Sequence, residues 1–411
     1  MESKRTTHLN YKSMYEYYST QQVLPTYGHF KSAADLENHH QHRHELFTVK
    51  LQLPVQVFQG ANLIEFGPDS GENSLVFAEW GANCVLVEPN LKAHPVIEGY
   101  FQQYDLTSHL VKLEASDVAG YARQADSLQN YDVIDAEGFI YTVKPNSLWI
   151  DLFARLLNDN GFLILFYCEP FGSLIELITK VIYSGVKSKL NKSELEVASL
   201  LFLTKWDSIP HRRRMESWVM DVLENPFVRL RYFLEPQALL EEMYHAGFSL
   251  YSSWPSYKDG LDVHWFKTAE SAAKKLHSQK EFVALSRLSH IFGRKHFLAQ
   301  SDVKLEKALF ELLAHVDSSI DALDAGRLAK AVDILEFISE VLDSDRVIAN
   351  PSEVAETIAF IRVVQQIFTF LGRGMIDEVV NLCNSDQSFI STWGTPSHFA
   401  VFTIDRSNPT G

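Results

Sequence analysis

The sequence predicts an α/β protein with a doubly wound, mainly parallel sheet, an antiparallel strand pair at one edge, and a helical C-terminal region. Two observations carry this. Between residues 56 and 268, short continuous apolar runs alternate with helix-period segments. That is the pattern of strands buried on both faces and joined by crossover helices. From residue 270 to 411, no convincing buried strand occurs until the last few residues, and apolar positions recur at spacings of three and four.

Residues 1–55 are polar and rich in Tyr and His, and they read as an N-terminal helical lid. Ala61–Phe66 is the first strand, ending in a glycine turn, and the stretch from Gly71 has a helical period. Asn83–Glu88, the run from Val111 to Leu113, Tyr131–Asp135 and Gly161–Cys168 supply four more strands, with a helix over Leu148–Leu157. Phe248–Tyr251 and Asp262–Phe266, separated by a loop containing Pro and Gly, form the expected antiparallel pair. In the C-terminal region, Leu305, Leu309, Leu312, Val316, Ile320 and Leu323 share one helix face. Asn350-Pro351-Ser352-Glu353 combines an N-cap, a proline at the first helical position and a capping-box Glu, while Gly372 and Gly374 are helix stops. Two similar helix–turn–helix patterns begin at Leu323 and Leu371, and the region reads as a bundle packed on the α/β part.

The 411 residues suggest two or three domains. A hydrophobic fraction of 46% with 22% charged residues excludes wholesale disorder. The net charge of −15 repels phosphate backbones, so nucleic acid is disfavoured as a partner. Three widely spaced cysteines make neither a disulfide framework nor a metal motif, which fits a reducing compartment. No signal peptide or membrane span is read, and the expected location is the cytoplasm. The amphipathic C-terminal helices leave self-association or a protein partner open.

The chemistry concentrates in Leu63-Ile-Glu65-Phe-Gly67-Pro-Asp69-Ser-Gly71-Glu-Asn73. A strand ends in Glu65, turns at Gly67 and enters a helix after Gly71, which brings backbone close to a ligand. Glu88 ends the second strand 21 residues after Gly67. It is placed to accept hydrogen bonds from both hydroxyls of a ribose. Pyrophosphate at such a turn calls for neutral glycine, whereas Glu65, Asp69 and Glu72 crowd it with carboxylates, which disfavours a nicotinamide dinucleotide. A cationic, adenosine-containing ligand suits these acids.

This segment resembles motif I of class I S-adenosylmethionine-dependent methyltransferases, and the resemblance continues in order over roughly residues 56–268. It implies a Rossmann-like core and S-adenosylmethionine as cofactor. Glu65, Gly67, Asp69, Gly71 and Glu88 would line the cofactor, and Asp117, following the third strand, would contact adenine. Glu137, in Asp135-Ala-Glu137-Gly138, would lie beside the methyl donor. A narrower resemblance, to methyltransferases encoded with bacterial surface-polysaccharide genes, rests on three segments: His44–Pro54, Glu65–Ala78 and Trp218–Pro226. The departure is Asp69, which stands where the family has its middle glycine. The implied acceptor is a small molecule or saccharide, with O-methylation favoured over N-methylation.

A hydroxyl acceptor needs a general base. Glu137 and His211, the latter in Pro210-His-Arg-Arg-Arg214, are the candidates. The histidines between His39 and His44 read as part of the lid, and no metal site is expected. The alternative function is a non-catalytic scaffold that keeps the methyltransferase fold and binds partners through its C-terminal helices.

Overall fold

The computed structural model describes residues 11–21, 24, 33–124, 130–210, 214–260, 267, 270–295, 297–299, 303–344, 346–404 and 406. Its centre is a sheet of β1 (Asn62–Phe66), β2 (Asn83–Val87), β3 (Leu110–Glu114), β4 (Tyr131–Glu137), β5 (Leu157–Cys168) and β6 (Phe248–Trp254), completed from the far end of the chain. A two-stranded pair, β7 (Leu298–Ala299) and β8 (Val347–Ile348), stands apart. The completing strand is β9 (Ser397–Ile404), and the sheet order is β3-β2-β1-β4-β5-β9-β6. The β1 to β5 pairings are parallel, whereas β9 runs antiparallel to both β5 and β6.

The expected antiparallel pair is therefore present, with a different partner. The other member named from the sequence, Asp262–Phe266, lies outside the described residues. The strand paired with β6 is β9, whose Phe402 aligns with Leu163 on one side and Leu250 on the other. Ala400, Val401, Phe402 and Ile404 are buried on alternating faces, which is why this segment reads as one continuous apolar run.

Helices α1 (Met14–Gln21) and α2 (Ala33–Glu45) precede the sheet, and α3 (Glu72–Glu79) follows β1. The remaining crossovers are α4 (His94–Gln103), α5 (Val118–Ala122) and α6 (Asn146–Leu156). On one sheet face, Leu63, Leu86, Val133, Ile164 and Val401 pack with Phe47, Phe58 and Phe77. On the other, Ile64, Ile134, Leu163 and Phe402 join Trp149 and Phe153 of α6.

After β5 comes α7 (Leu174–Lys187), followed by α8 (Glu194–Asp207), α9 (Met215–Trp218) and α10 (Pro236–His245). Nearly every α7 side chain is buried, so it is an interior helix rather than a surface one. Between β6 and β9 the chain builds α11 (Ala272–Phe292), α12 (Val303–Asp321), α13 (Ala325–Leu342), α14 (Pro351–Gly372), α15 (Ile376–Ser385) and α16 (Gln387–Ser391). Leu312, Leu335, Val364 and Phe368 of these helices share a continuous apolar core with the sheet face covered by α6. A Cβ on Gly185 would stand 2.9 Å from Leu371, so α7 and α14 approach closely there. Asn350 caps α14 by accepting from the Ser352 amide at 3.0 Å, as the sequence pattern indicates. By length and composition α14 could cross a membrane, yet Phe360, Ile361, Val364, Ile367 and Phe368 are buried in this core.

Phe402 is 1% exposed in an internal strand. Phe402→Ala is expected to lower unfolding free energy by about 3–5 kcal/mol. Urea denaturation followed by circular dichroism measures this, and a change below about 1 kcal/mol would be inconsistent with the placement of β9.

Candidate functional site

Strand alternation aims three acids at one place. Glu65 pairs in register with Asp135 across β1 and β4, and Glu137 lies two residues further along β4. Side chains two apart share a face, so all three point to the side covered by α2 and α3. Helix α3 supplies neighbours: Ser74 Oγ donates to Glu65 at 2.5 Å and Asn73 Nδ2 donates to Glu137 at 3.3 Å.

The counter-charge comes from α2. Arg43 Nη1 donates to both oxygens of Glu137, at 2.9 and 2.7 Å. Its guanidinium lies 4.7 Å from the ring centre of Phe47 and 5.2 Å from that of Phe77, a buried cation–π arrangement. His39 Nε2 bonds Asn73 Oδ1 at 3.0 Å, and burial lowers His39 to about 4, so it adds no positive charge near neutrality. Three carboxyls thus face one guanidinium. Burial holds Asp135 well above the usual carboxylate range and pushes Glu65 up to about 7.

Two sets of polar atoms in this cluster have no hydrogen-bond partner. They are Asp135 Oδ1 and Oδ2, and Arg43 Nε and Nη2. Asp135 is 0% exposed and Arg43 5%, so water does not supply the missing partners at the surface. Buried acceptors and buried donors left open side by side fit a ligand carrying both an ammonium and a carboxylate.

The turn beside the cluster keeps the geometry the sequence implies. Gly67 and Gly71 have φ of +69° and +90°, and Asp69 has +53°. Asp tolerates the left-handed region better than most residues, so it can hold this turn position where the resemblance expects glycine. A Cβ on Gly67 would stand 2.7 Å from the Phe139 ring, which covers that side of the turn. Glu88 is 5% exposed and accepts from the Asp69 amide at 3.1 Å and the Asn90 amide at 2.7 Å, and burial pushes it up to about 8. It thereby locks the turn from the end of β2.

Glu65, Gly67, Asp69, Gly71, Glu88 and Glu137 therefore gather at the carboxyl ends of β1, β2 and β4. Asp117 follows β3, is exposed, and caps α5 by accepting from the Gly120 amide at 2.6 Å. His211 lies outside the described residues. Sequence reasoning missed Arg43. Its signal was present, since Arg43 precedes Phe47 by four residues and a helix places such a pair on one face. In the expected lid, Tyr17 donates to the Met220 carbonyl at 2.9 Å and Tyr18 to Asp221 at 3.0 Å, while His40 pairs with Glu79.

Glu65 and Glu88 hold their protons to higher pH in the folded chain than the ordinary value of 4.5. Their contribution to stability is fully present below 4.5 and is lost as pH rises from there through about 7 and about 8. The melting temperature should fall across this window, and Glu88→Gln should flatten the fall. Differential scanning fluorimetry across the window checks both, and identical profiles for the two proteins would count against the assignment.

Residues 38–253 match a family described as a methyltransferase domain. A search of curated proteins returns no match. Similar solved structures include TehB from Haemophilus influenzae, 14% identical, covering 38% of this chain and 45% of that one, with a TM-score of 0.25. The CcbJ methyltransferase from Streptomyces caelestis is 17% identical, with 28% and 45% covered and a TM-score of 0.25. The N-methyltransferase NodS from Bradyrhizobium japonicum, solved with S-adenosyl-L-homocysteine, is 13% identical, with 37% and 74% covered and a TM-score of 0.28. This chain spans less than half the length of the first two. The family match takes in more than half of the sequence, and the chain belongs to the methyltransferase-domain family.

Proposed function

We propose that the chain transfers the methyl group of S-adenosylmethionine to a small-molecule or saccharide acceptor, with a hydroxyl oxygen favoured. The observation that carries this is the juxtaposition of the open acceptors of Asp135 with the open donors of Arg43, beside the Gly67–Gly71 turn. Asp135 and Glu65 would hold an α-ammonium and Arg43 an α-carboxylate. Glu88 would take the ribose hydroxyls and Asp117 would approach adenine from the end of β3. When bound, the cofactor supplies an electrophilic methyl group on a sulfonium.

The chain's own residues then have three tasks. The turn and α3 orient the donor, and alignment is the main rate contribution in an in-line displacement. The buried carboxyls favour positive charge at that end of the sheet and help exclude water. Glu137 removes the proton from a hydroxyl acceptor, and its release from Arg43 frees it to act as base. The second base candidate is His211.

The saccharide assignment rests on the resemblance over His44–Pro54, Glu65–Ala78 and Trp218–Pro226. The last of these carries the Asp221 and Asn225 side chains that bond Tyr18 of α1, at 3.0 and 3.4 Å. We read residues 1–55 as the lid, 56–268 as the methyltransferase unit and 270–411 as the helical addition, with β9 returning to the sheet. The C-terminal helices are the candidate surface for self-association or a protein partner.

A second reading is a binding protein that keeps the fold without transfer. Arg43 already satisfies Glu137, and Phe139 already covers Gly67.

Calorimetry with S-adenosylhomocysteine separates the readings. The enzyme reading expects micromolar binding, weakened at least about tenfold in both Glu88→Ala and Arg43→Gln, since each removes a buried hydrogen-bonding group. The scaffold reading expects no binding in the wild type and a gain in Arg43→Gln as the site opens.

A further inference from the structure

A second cluster of chemically able side chains lies away from the cofactor turn, where three distant segments meet. Glu169 directly follows β5, His398 is the second residue of β9, and His290 is in the last turn of α11. They are 1%, 0% and 4% exposed, in that order. Backbone hydrogen bonds clamp the segments together. The Glu169 amide donates to the Pro396 carbonyl at 2.9 Å, and the amide and hydroxyl of Thr395 both donate to the His290 carbonyl at 2.9 Å. Tyr167, two residues before Glu169, pairs in register with His398.

Each of the three side chains has one polar atom without a hydrogen-bond partner: Glu169 Oε1, His290 Nδ1 and His398 Nε2. Each of the three residues offers one ligand atom, and these atoms all lie within 4.8 Å of one another. Two of the residues are anchored through their second atom. Glu169 Oε2 accepts from the Gly172 amide at 2.5 Å. His398 Nδ1 bonds the Tyr257 hydroxyl at 2.6 Å, and that hydroxyl meets the Tyr167 hydroxyl at 2.5 Å. Leaving one buried polar atom unsatisfied costs about 1–3 kcal/mol, and here three converge. Such convergence has a simple explanation in a bound cation.

We propose that Glu169, His290 and His398 bind one Zn(II) ion, which ties the turn after β5 to α11 and β9. Two imidazole nitrogens and one carboxylate oxygen are a usual zinc donor set. The contact from Tyr257 to His398 is the outer hydrogen bond that fixes the ring of a metal-ligating histidine. Ligands about 2.1 Å from one ion stand at most about 4.2 Å apart, so closure needs an inward shift of under about 1 Å. The Arg287 guanidinium, whose charge reaches both Glu169 and His290, is engaged by Glu306 at 2.9 Å and Glu235 at 3.5 Å. These three residues leave a fourth zinc position to another ligand, and their near-complete burial shields the ion from bulk solvent.

The test uses the full chain, stripped with a chelator, dialysed against Zn(II) and assayed for metal by mass spectrometry. The wild type should retain one equivalent and melt at a higher temperature than the stripped protein. A control with His40→Gln, in the other histidine-rich segment, should retain it equally. Glu169→Gln and His398→Gln should bind at least about tenfold more weakly, and Tyr257→Phe about tenfold more weakly through loss of the outer hydrogen bond. A wild type that retains no zinc overturns the proposal, as does zinc retained undiminished in both ligand variants. Should a variant fail to fold, X-ray absorption at the zinc edge of the wild type decides. Two imidazoles and one carboxylate support the site, and any other protein donor set rejects it.

Discussion

The arrangement at the carboxyl ends of β1 and β4 depends on a constraint of charge. Strand alternation puts Glu65, Asp135 and Glu137 on one face, the first two buried and Glu137 half-buried, and buried carboxyls need donors or protons. The chain answers with Arg43, brought in by a helix that precedes the sheet in sequence. Phe47 and Phe77 beneath its guanidinium belong to the same apolar cluster as Leu63 and Val133. The ion pair therefore fixes where α2 lies, and α2 in turn helps close one face of the sheet. Compensation is incomplete, since one guanidinium faces three acids. Burial meets the remainder by holding protons on Asp135 and Glu65 to higher pH than usual.

Glycine geometry and charge reinforce each other there. Gly67, Asp69 and Gly71 all take left-handed backbone angles, and Glu88 accepts an amide hydrogen from the middle of that turn. The residue proposed to grip ribose is thus also the residue that shapes the loop. In that proposed role, binding and local structure would share one carboxylate, and a change at Glu88 would alter both.

Much of this was legible in sequence because it is local. β1, β2, β4 and β5 announce themselves as apolar runs, and Gly67, Gly71 and Glu88 sit at spacings set by one strand, one turn and one crossover. Arg43 was harder to see, because its partner Glu137 is 94 positions away and only packing joins them. The slot of β9 was hidden for the same reason. A strand was visible near the chain's end, but nothing local says that it enters between β5 and β6. Glu169, His290 and His398 share no motif spacing at all and meet only through that insertion. Asp117 shows the opposite case, a strand-following acid whose visible work is capping a short helix.

The position of β9 also has a meaning in time. Synthesis delivers β5 and β6 well before β9, with all of α11 to α16 between them. Until then, the edges of β5 and β6 that β9 will cover carry unpaired amides and carbonyls, open to pairing with another nascent chain. The helices emerging meanwhile also lack part of the sheet face they pack on. The β5–β9–β6 half of the sheet is thus a late product of synthesis, whereas β1 to β4 can assemble early. Those two edges thus stay open for the whole interval in which α11 to α16 are made.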